Sequence, residues 1–191
     1  MRIKILILLL LFVFTGTFFY SCNKTTSQLE REEEIDHIQK YVKKYLPGIK
    51  PTTSGLFFQE LKPGFNTTDT IKAGDIVKVY YSGYLIDATD TVKDGAFFDG
   101  TGDYLNNNDG NYEPYTFIVG GGTVIQGWDE AIRLMYKGEV ARWVLPSRLA
   151  YSTQGTSSGI PAYSPLVFYI TVVDVKHPAT YDPPIISKQP F

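Results

Sequence analysis

Ile125-Gln126-Gly127-Trp128-Asp129-Glu130-Ala131-Ile132-Arg133-Leu134-Met135-Tyr136 is the one internal stretch of this chain with a helical pattern. Trp128, Ile132 and Met135 or Tyr136 recur every three to four residues, the period that gathers apolar side chains on one face of a helix. Gly138 is placed to end it. On both sides of this stretch the period is two. Leu56 to Leu61 reads as a strand, Lys62-Pro63-Gly64 as a turn, and residues 76–85 as a longer strand with Val77, Val79, Tyr81 and Leu85 on one face. Further strands are predicted near Tyr115 to Val119, Val140 to Leu145 and Leu166 to Val175. The outcome is a mostly antiparallel sheet with one helix to cover it, an α+β arrangement.

Ahead of the sheet, Ser27 and Glu30 have the spacing of a capping box, and Leu29, Ile35, Ile38, Val42 and Tyr45 recur at helical spacing. This predicts a helix over 28–46. Glu30, Glu32, Glu33, Glu34 and Asp36 crowd its first turns and Lys40, Lys43 and Lys44 its last, which complements the macrodipole, and Pro47-Gly48 stops it. Three roles stay open for this element: packing on the domain, pairing with another chain, or holding the domain away from a membrane.

At the N-terminus, Met1-Arg2-Ile3-Lys4 is followed by uninterrupted apolar residues from Ile5 to Phe14, then by small and polar residues leading to Ser21 and Cys22. That is the layout of a secretory signal over residues 1–21. A membrane helix is the competing reading, but Ile5 to Phe14 would span only about 15 Å of a hydrocarbon core roughly 30 Å thick. Cys22 is the only cysteine, so no intrachain disulfide can form. Its position resembles the lipid-attachment cysteine of bacterial lipoproteins, with Ser21 as the small residue before it and Phe19 and Tyr20 bulkier than usual; a free thiol is the alternative. Acyl chains there would bury many methylenes at about 0.8 kcal/mol each, enough for stable anchoring. The expected organisation is a signal (1–21), a lipid-anchored spacer and helical stalk (22–54), one folded domain (55–176) and a Pro-rich, extended or disordered tail (177–191). Asp87 to Gly95 and Gly100 to Pro114, rich in Asp, Asn, Gly and Thr, read as solvated loops.

Composition excludes several functions. A net charge of −2 and no Lys/Arg cluster in an aromatic setting argue against nucleic acid as a partner. The only two histidines, His37 and His177, lie in the stalk and at the start of the tail, so Ser-His-Asp and Cys-His mechanisms lose their base and the usual zinc sites lose ligands. Gly120-Gly121-Gly122 precedes the helix but fits no phosphate-binding or dinucleotide spacing. No metal or cofactor is expected. What remains is an unusual supply of aromatic residues, 15% of the chain.

Val79-Tyr80-Tyr81-Ser82-Gly83-Tyr84-Leu85, Phe98-Asp99, Val124-Ile125-Gln126-Gly127-Trp128-Asp129-Glu130-Ala131, Leu145-Pro146, Ala150-Tyr151, Gly159-Ile160-Pro161 and Pro165-Leu166-Val167-Phe168 occur in that order. Together they resemble the signature of FKBP-type peptidyl-prolyl cis/trans isomerases over about residues 55–175, the Val-Ile-x-Gly-Trp block being the most specific. The resemblance implies a curved antiparallel half-barrel wrapped over a short helix, with the ligand pocket between them. It places Trp128 as the indole floor, with Tyr81, Phe98, Tyr115, Val124, Ile125, Ile160 and Phe168 as walls. Tyr151 and Asp99 take polar rim positions, and the Ile125 N–H becomes a donor to the ligand carbonyl. Tyr81, Phe98, Asp99, Trp128 and Tyr151 would carry catalysis, and Tyr115, Val124, Ile125, Ile160 and Phe168 substrate binding. Two departures touch the rim: Ser152 stands where Gly often follows the tyrosine, and Ala162 where a second Pro often follows Ile160-Pro161.

Such residues suit the reaction. Rotation about Xaa-Pro faces about 18–20 kcal/mol because amide resonance must be broken, and no acid, base or nucleophile is required to break it. The expected activity is isomerisation of Xaa-Pro bonds in exported proteins, with tacrolimus-type inhibitors as ligands. A proline-peptide-binding or chaperone module with little catalysis is the alternative, and a surface lipoprotein scaffold a third. The expected location is the cell envelope, lipid-anchored to a membrane, foremost the outer membrane, on its periplasmic or surface face. The lipobox style and long loops resemble isomerase lipoproteins of Bacteroidetes, including those associated with gliding motility.

Overall fold

A computed structural model of the chain describes residues 24–86, 95–101, 113–157 and 159–178. The expected signal segment, Cys22, the residues beyond Pro178 and most of both Asp/Asn/Gly-rich stretches lie outside the described residues. The chain divides into two compact units, Met1–Glu32 and Glu33–Phe191. Helix α1 (Thr26–Tyr45) begins in the first and ends in the second.

In the first unit the helix starts two residues earlier than its Ser27/Glu30 pattern suggests. The capping box is Thr25 with Gln28: the Thr25 N–H donates to Gln28 Oε1 at 2.9 Å and the Gln28 N–H to Thr25 Oγ1 at 3.3 Å. At the start of α1 the motif Ser/Thr-x-x-Glu/Gln therefore occurs twice, and the copy nearer the N-terminus satisfies the first orphan amides.

In the second unit the sheet has the order β1-β5-β6-β2-β3, with β4 also paired to β2, and every pairing is antiparallel. The strands are β1 (Phe57–Lys62), β2 (Ile76–Leu85), β3 (Phe97–Gly100), β4 (Tyr115–Ile118), β5 (Val140–Leu145) and β6 (Leu166–Lys176). β3 is the strand that the sequence pattern misses: it has only four residues and stands between two loop-like stretches. The period-two reading holds for β2, whose Val77 and Val79 are fully buried and whose Tyr81 and Leu85 pack on the same cluster. Alternation then sorts the long strands. Leu166, Phe168, Ile170 and Val172 of β6, with Ala141, Trp143 and Leu145 of β5, face one core; Val167, Tyr169 and Val144 face the other.

Helix α2 (Gln126–Ala131) fills the first core and is shorter than its sequence period. A 3₁₀ turn takes over at Ile132–Leu134 and Met135 is already extended. Trp128, Ile132 and Met135 are nonetheless all buried, so the period of three to four marks the packed face, not the length of regular helix. Gly127 sets how near this helix comes. A Cβ there would lie 2.8 and 2.9 Å from the two Leu145 methyl groups and 3.0 Å from the Leu149 carbonyl oxygen. Only a residue without a side chain lets the helix backbone approach β5 this closely.

The second core is covered by the later turns of α1. Ile38 and Tyr41 are buried there beside Leu46, with Val42 and Tyr45 packed against them. Of the roles left open for this helix, packing on the domain is the one these turns show. The apolar stripe differs from its sequence reading, because Leu29 and Ile35 are exposed while Glu34 and Tyr41 are buried. Arg142 on β5 closes the end of the helix: it donates to the Tyr45 carbonyl and the Gln59 side chain, and its guanidinium lies 6.0 Å from the ring centroids of both Tyr41 and Tyr169. A buried cation is thus supplied with acceptors and aromatic faces in place of water.

His177, expected to open an extended tail, is held in place. Its Nδ1 lies 2.9 Å from Asp75 Oδ1 and its Nε2 2.9 Å from Asp69 Oδ1, contacts that fasten the end of β6 to the 69–75 loop. The hydrogen bond to Asp75, reinforced by both carboxylates, raises its pKa above 6.5. No described helix is long and apolar enough to cross a membrane.

Candidate active site

Between the inner face of the sheet and the N-terminal end of α2 lies a cavity of about 350 Å³, within the size range of small-ligand sites. β2 supplies Tyr81, β3 supplies Phe98 and Asp99, β4 supplies Tyr115, and β6 supplies Phe168. Val124, Ile125 and Trp128 come from the start of α2 and the residues before it, and Tyr151 from the turn after the 3₁₀ helix Ser147–Leu149. Every expected site residue lines the cavity except Ile160. That side chain is only 5% exposed and belongs to the packed cluster. The reason is a local turn: the Ile160 N–H donates to Thr156 Oγ1 at 3.1 Å and its carbonyl accepts from the Thr156 N–H at 2.8 Å, folding the residue inward. Gly122 and Thr123 also line the cavity. The only sequence signal for them is the glycine run before the helix.

Trp128 is the hub. Its indole is 5% exposed yet borders the cavity, and it meets Tyr81, Phe168, Phe117 and Trp143 edge-on at centroid distances of 4.8, 5.4, 5.7 and 5.9 Å. Edge-to-face contacts of this kind contribute about 0.5–1.5 kcal/mol each beyond burial, so the floor is rigid. Phe98 stands against Phe168 at 5.6 Å. Gly83, which pairs with both Asp99 and Phe168 in the sheet, makes room for that wall, since a Cβ there would lie 2.7 Å from Phe98 Cζ and 2.8 Å from Phe168 Cε1.

The polar groups sit at one side. The Tyr81 hydroxyl donates to Asp99 Oδ2 at 2.8 Å, and the Gly100 N–H holds Asp99 Oδ1 at 2.9 Å. Burial first, and then the Asp99 carboxylate, keep the Tyr81 phenol well above the usual tyrosine range. The same two causes raise Tyr151. Both phenols therefore stay protonated donors at neutral pH. Ser152, in place of the commoner glycine, takes up the left-handed conformation with φ of 53°. The turn behind Tyr151 thus keeps a glycine-like path at a cost of about 1–2 kcal/mol. Among the lining residues Asp99 is the one charged side chain. The arrangement offers a ring-lined receptacle with hydroxyl donors and one carboxylate at its edge and, among the described residues that line it, no nucleophile beside a base.

The family described as FKBP-type peptidyl-prolyl cis-trans isomerase matches residues 67–173. The chain belongs to this family. The isomerase FkpA of Aeromonas hydrophila is 40% identical over 132 residues, which are 69% of this chain and 42% of that protein. FK506-binding protein 2 of Debaryomyces hansenii is 36% identical over 111 residues, 58% of this chain and 71% of that protein. A crystal structure of a peptidyl-prolyl cis-trans isomerase from Pseudomonas syringae superposes with a TM-score of 0.63 at 28% identity, covering 81% of this chain and 99% of that one. The chain thus spans less than half the length of the Aeromonas relative. The FKBP-like half-barrel over a short helix is the fold observed, and the cavity lies where the family's fold brings sheet and helix together.

Proposed function

We propose that this FKBP-type chain catalyses cis/trans isomerisation of Xaa-Pro bonds in exported polypeptides. The observation that carries the reading is the cavity itself: an indole floor, aromatic walls and two protonated phenols beside Asp99. The proline ring enters against Trp128, between Phe98, Tyr115 and Phe168, while the Ile125 N–H donates to the ligand carbonyl. Removing the imide from water takes away the hydrogen bonds that favour its planar, charge-separated form. The Tyr151 hydroxyl then favours the twisted bond over either planar one, and each tenfold in rate needs only about 1.4 kcal/mol of that preference. In this reading Tyr81, Phe98, Asp99, Trp128 and Tyr151 carry catalysis. Tyr115, Val124, Ile125 and Phe168 bind substrate, and Ile160 is part of the core cluster that also holds Trp128 and Phe168.

The chain works in the cell envelope, lipid-anchored at Cys22 after removal of residues 1–21, with residues 22–54 as spacer and helix, 55–176 as catalytic domain and 177–191 as tail. The signal layout and the cysteine beyond it support this placement, as does the lipobox style shared with Bacteroidetes isomerase lipoproteins. FK506 (tacrolimus) occupies the same cavity, a reading supported by the name of the Debaryomyces relative.

NMR exchange spectroscopy on a Leu-Pro or Phe-Pro tetrapeptide, with and without tacrolimus, tests the proposal. Accelerated exchange that tacrolimus abolishes is expected. Tacrolimus binding without acceleration would leave only a proline-binding module.

A further inference from the structure

Glu34 of α1 is a buried acid far in sequence from the cavity, 7% exposed and aimed at one residue. Its Oε1 accepts the Ser147 backbone N–H and its Oε2 lies 2.9 Å from the Ser147 hydroxyl. Ser147 opens the 3₁₀ helix Ser147–Leu149, whose N-cap position is Pro146, a residue without a capping side chain. The carboxylate from α1 therefore does the capping that Pro146 cannot.

Ser147 in turn anchors the residues around Tyr151. Its carbonyl accepts the Ala150 N–H at 2.8 Å and the Ser152 N–H at 2.7 Å, so the amides on both sides of Tyr151 converge on one oxygen. Ser152 is the residue held at φ of 53°, and its carbonyl accepts the Tyr163 N–H at 2.9 Å. The hydrogen bonds donated by the residues on either side of Tyr151 both end on the Ser147 carbonyl, so the turn is held only as firmly as Ser147 itself.

We infer that Glu34 is a positioning residue: by clamping Ser147 it fixes the turn that presents Tyr151 to the cavity, so the N-terminal helix takes part in setting the geometry of the site. The catalytic consequence rests on the isomerase reading above; the geometric one does not. Loss of the carboxylate leaves the Ser147 N–H and hydroxyl without their acceptor, and the turn relaxes to find others. Glutamine keeps the clamp, because its carbonyl accepts the N–H while its amide pairs with the hydroxyl.

The experiment labels the full chain with 3-fluorotyrosine, identifies the Tyr151 signal by its loss in Tyr151→Phe, and compares three variants. Glu34→Ala is expected to shift or broaden that signal and to lower kcat/KM on a Leu-Pro tetrapeptide about tenfold, while Glu34→Gln stays within about twofold of wild type. Ile38→Ala, one turn further along the same helix and buried in the second core, controls for simple loosening of α1: it lowers Tm but leaves the Tyr151 signal and turnover in place. The inference is overturned if Glu34→Ala leaves the Tyr151 signal as in wild type, or if Ile38→Ala disturbs it as much. A wild-type chain without turnover would remove the isomerase reading alone, and the fluorine signal would still decide the role of Glu34.

Discussion

The Tyr81 ring stands edge-on to the indole of Trp128, with centroids 4.8 Å apart and planes at 86°, while its hydroxyl reaches Asp99 Oδ2 at 2.8 Å. One side chain thus joins the apolar floor to the charged rim. The ring contact fixes where the hydroxyl is, and the hydroxyl fixes which way the Asp99 carboxylate faces. A site that works by shape and solvation depends on such double fastening, since there is no covalent chemistry to compensate for a misplaced wall.

Tyr81→Phe keeps the ring and removes the hydroxyl. Hydrogen bonds to charged groups contribute about 1.5–3 kcal/mol, so kcat/KM on a proline tetrapeptide should fall about tenfold. The melting temperature should fall by a few degrees, because the same hydrogen bond contributes to the stability of the fold. In the wild type, burial and Asp99 hold the phenol protonated beyond the ordinary value of 10.0, so no loss of rate from its ionisation is expected up to that pH. A pH–rate profile falling with a midpoint below 10.0 that Tyr81→Phe removes would contradict this.

Gly127→Ala places a Cβ against both Leu145 methyl groups and the Leu149 carbonyl. Because one of these obstacles is backbone, the helix must retreat, at about 1–3 kcal/mol. Calorimetry should show Tm lowered by several degrees, with Trp128 fluorescence changed as the floor moves. An unchanged Tm would show that the helix has room to spare.

Glu139 is 1% exposed, and burial pushes its carboxyl from 4.5 up to about 7, against the pull of the Tyr136 N–H that it accepts at 2.8 Å. The folded protein therefore holds this proton more tightly than the unfolded chain. The resulting stabilisation is complete below 4.5 and is lost as pH rises through about 7. Glutamine at this position cannot titrate, so Glu139→Gln lacks that dependence. The difference in urea midpoint between the two proteins should drift in favour of the variant between pH 4.5 and about 7. A pH-independent difference would sink the assignment.

Much of this fold is legible in the sequence. β2 is readable because a strand with one face in the core leaves a period of two, as Val77, Val79 and Tyr81 do, whereas β5 and most of β6 are buried on both faces and read as near-continuous apolar runs. Tyr81, Phe98, Asp99, Trp128, Tyr151 and Phe168 are legible only as members of an ordered resemblance; their convergence on one cavity is a tertiary fact. Where sequence and structure part, a local signal is ambiguous. Thr25/Gln28 and Ser27/Glu30 are equally good caps by pattern, and only the path of the chain chooses between them. Ile35 has the spacing of the packed stripe and is exposed, whereas Glu34 has the look of a solvated acid and is buried, because its partner Ser147 lies too far along the chain for any window to see. β3 is invisible for the opposite reason, being too short to show a period.

Turnover of Xaa-Pro bonds in the ring-lined cavity is what the proposed function requires. Protease-coupled turnover of a Phe-Pro tetrapeptide by the full chain, set beside a Phe98→Ala/Trp128→Ala variant whose circular dichroism matches wild type, tests it most directly. Wild type should show rapid, tacrolimus-sensitive turnover, and the variant a rate at the uncatalysed level. Equal turnover by the two folded proteins would contradict it.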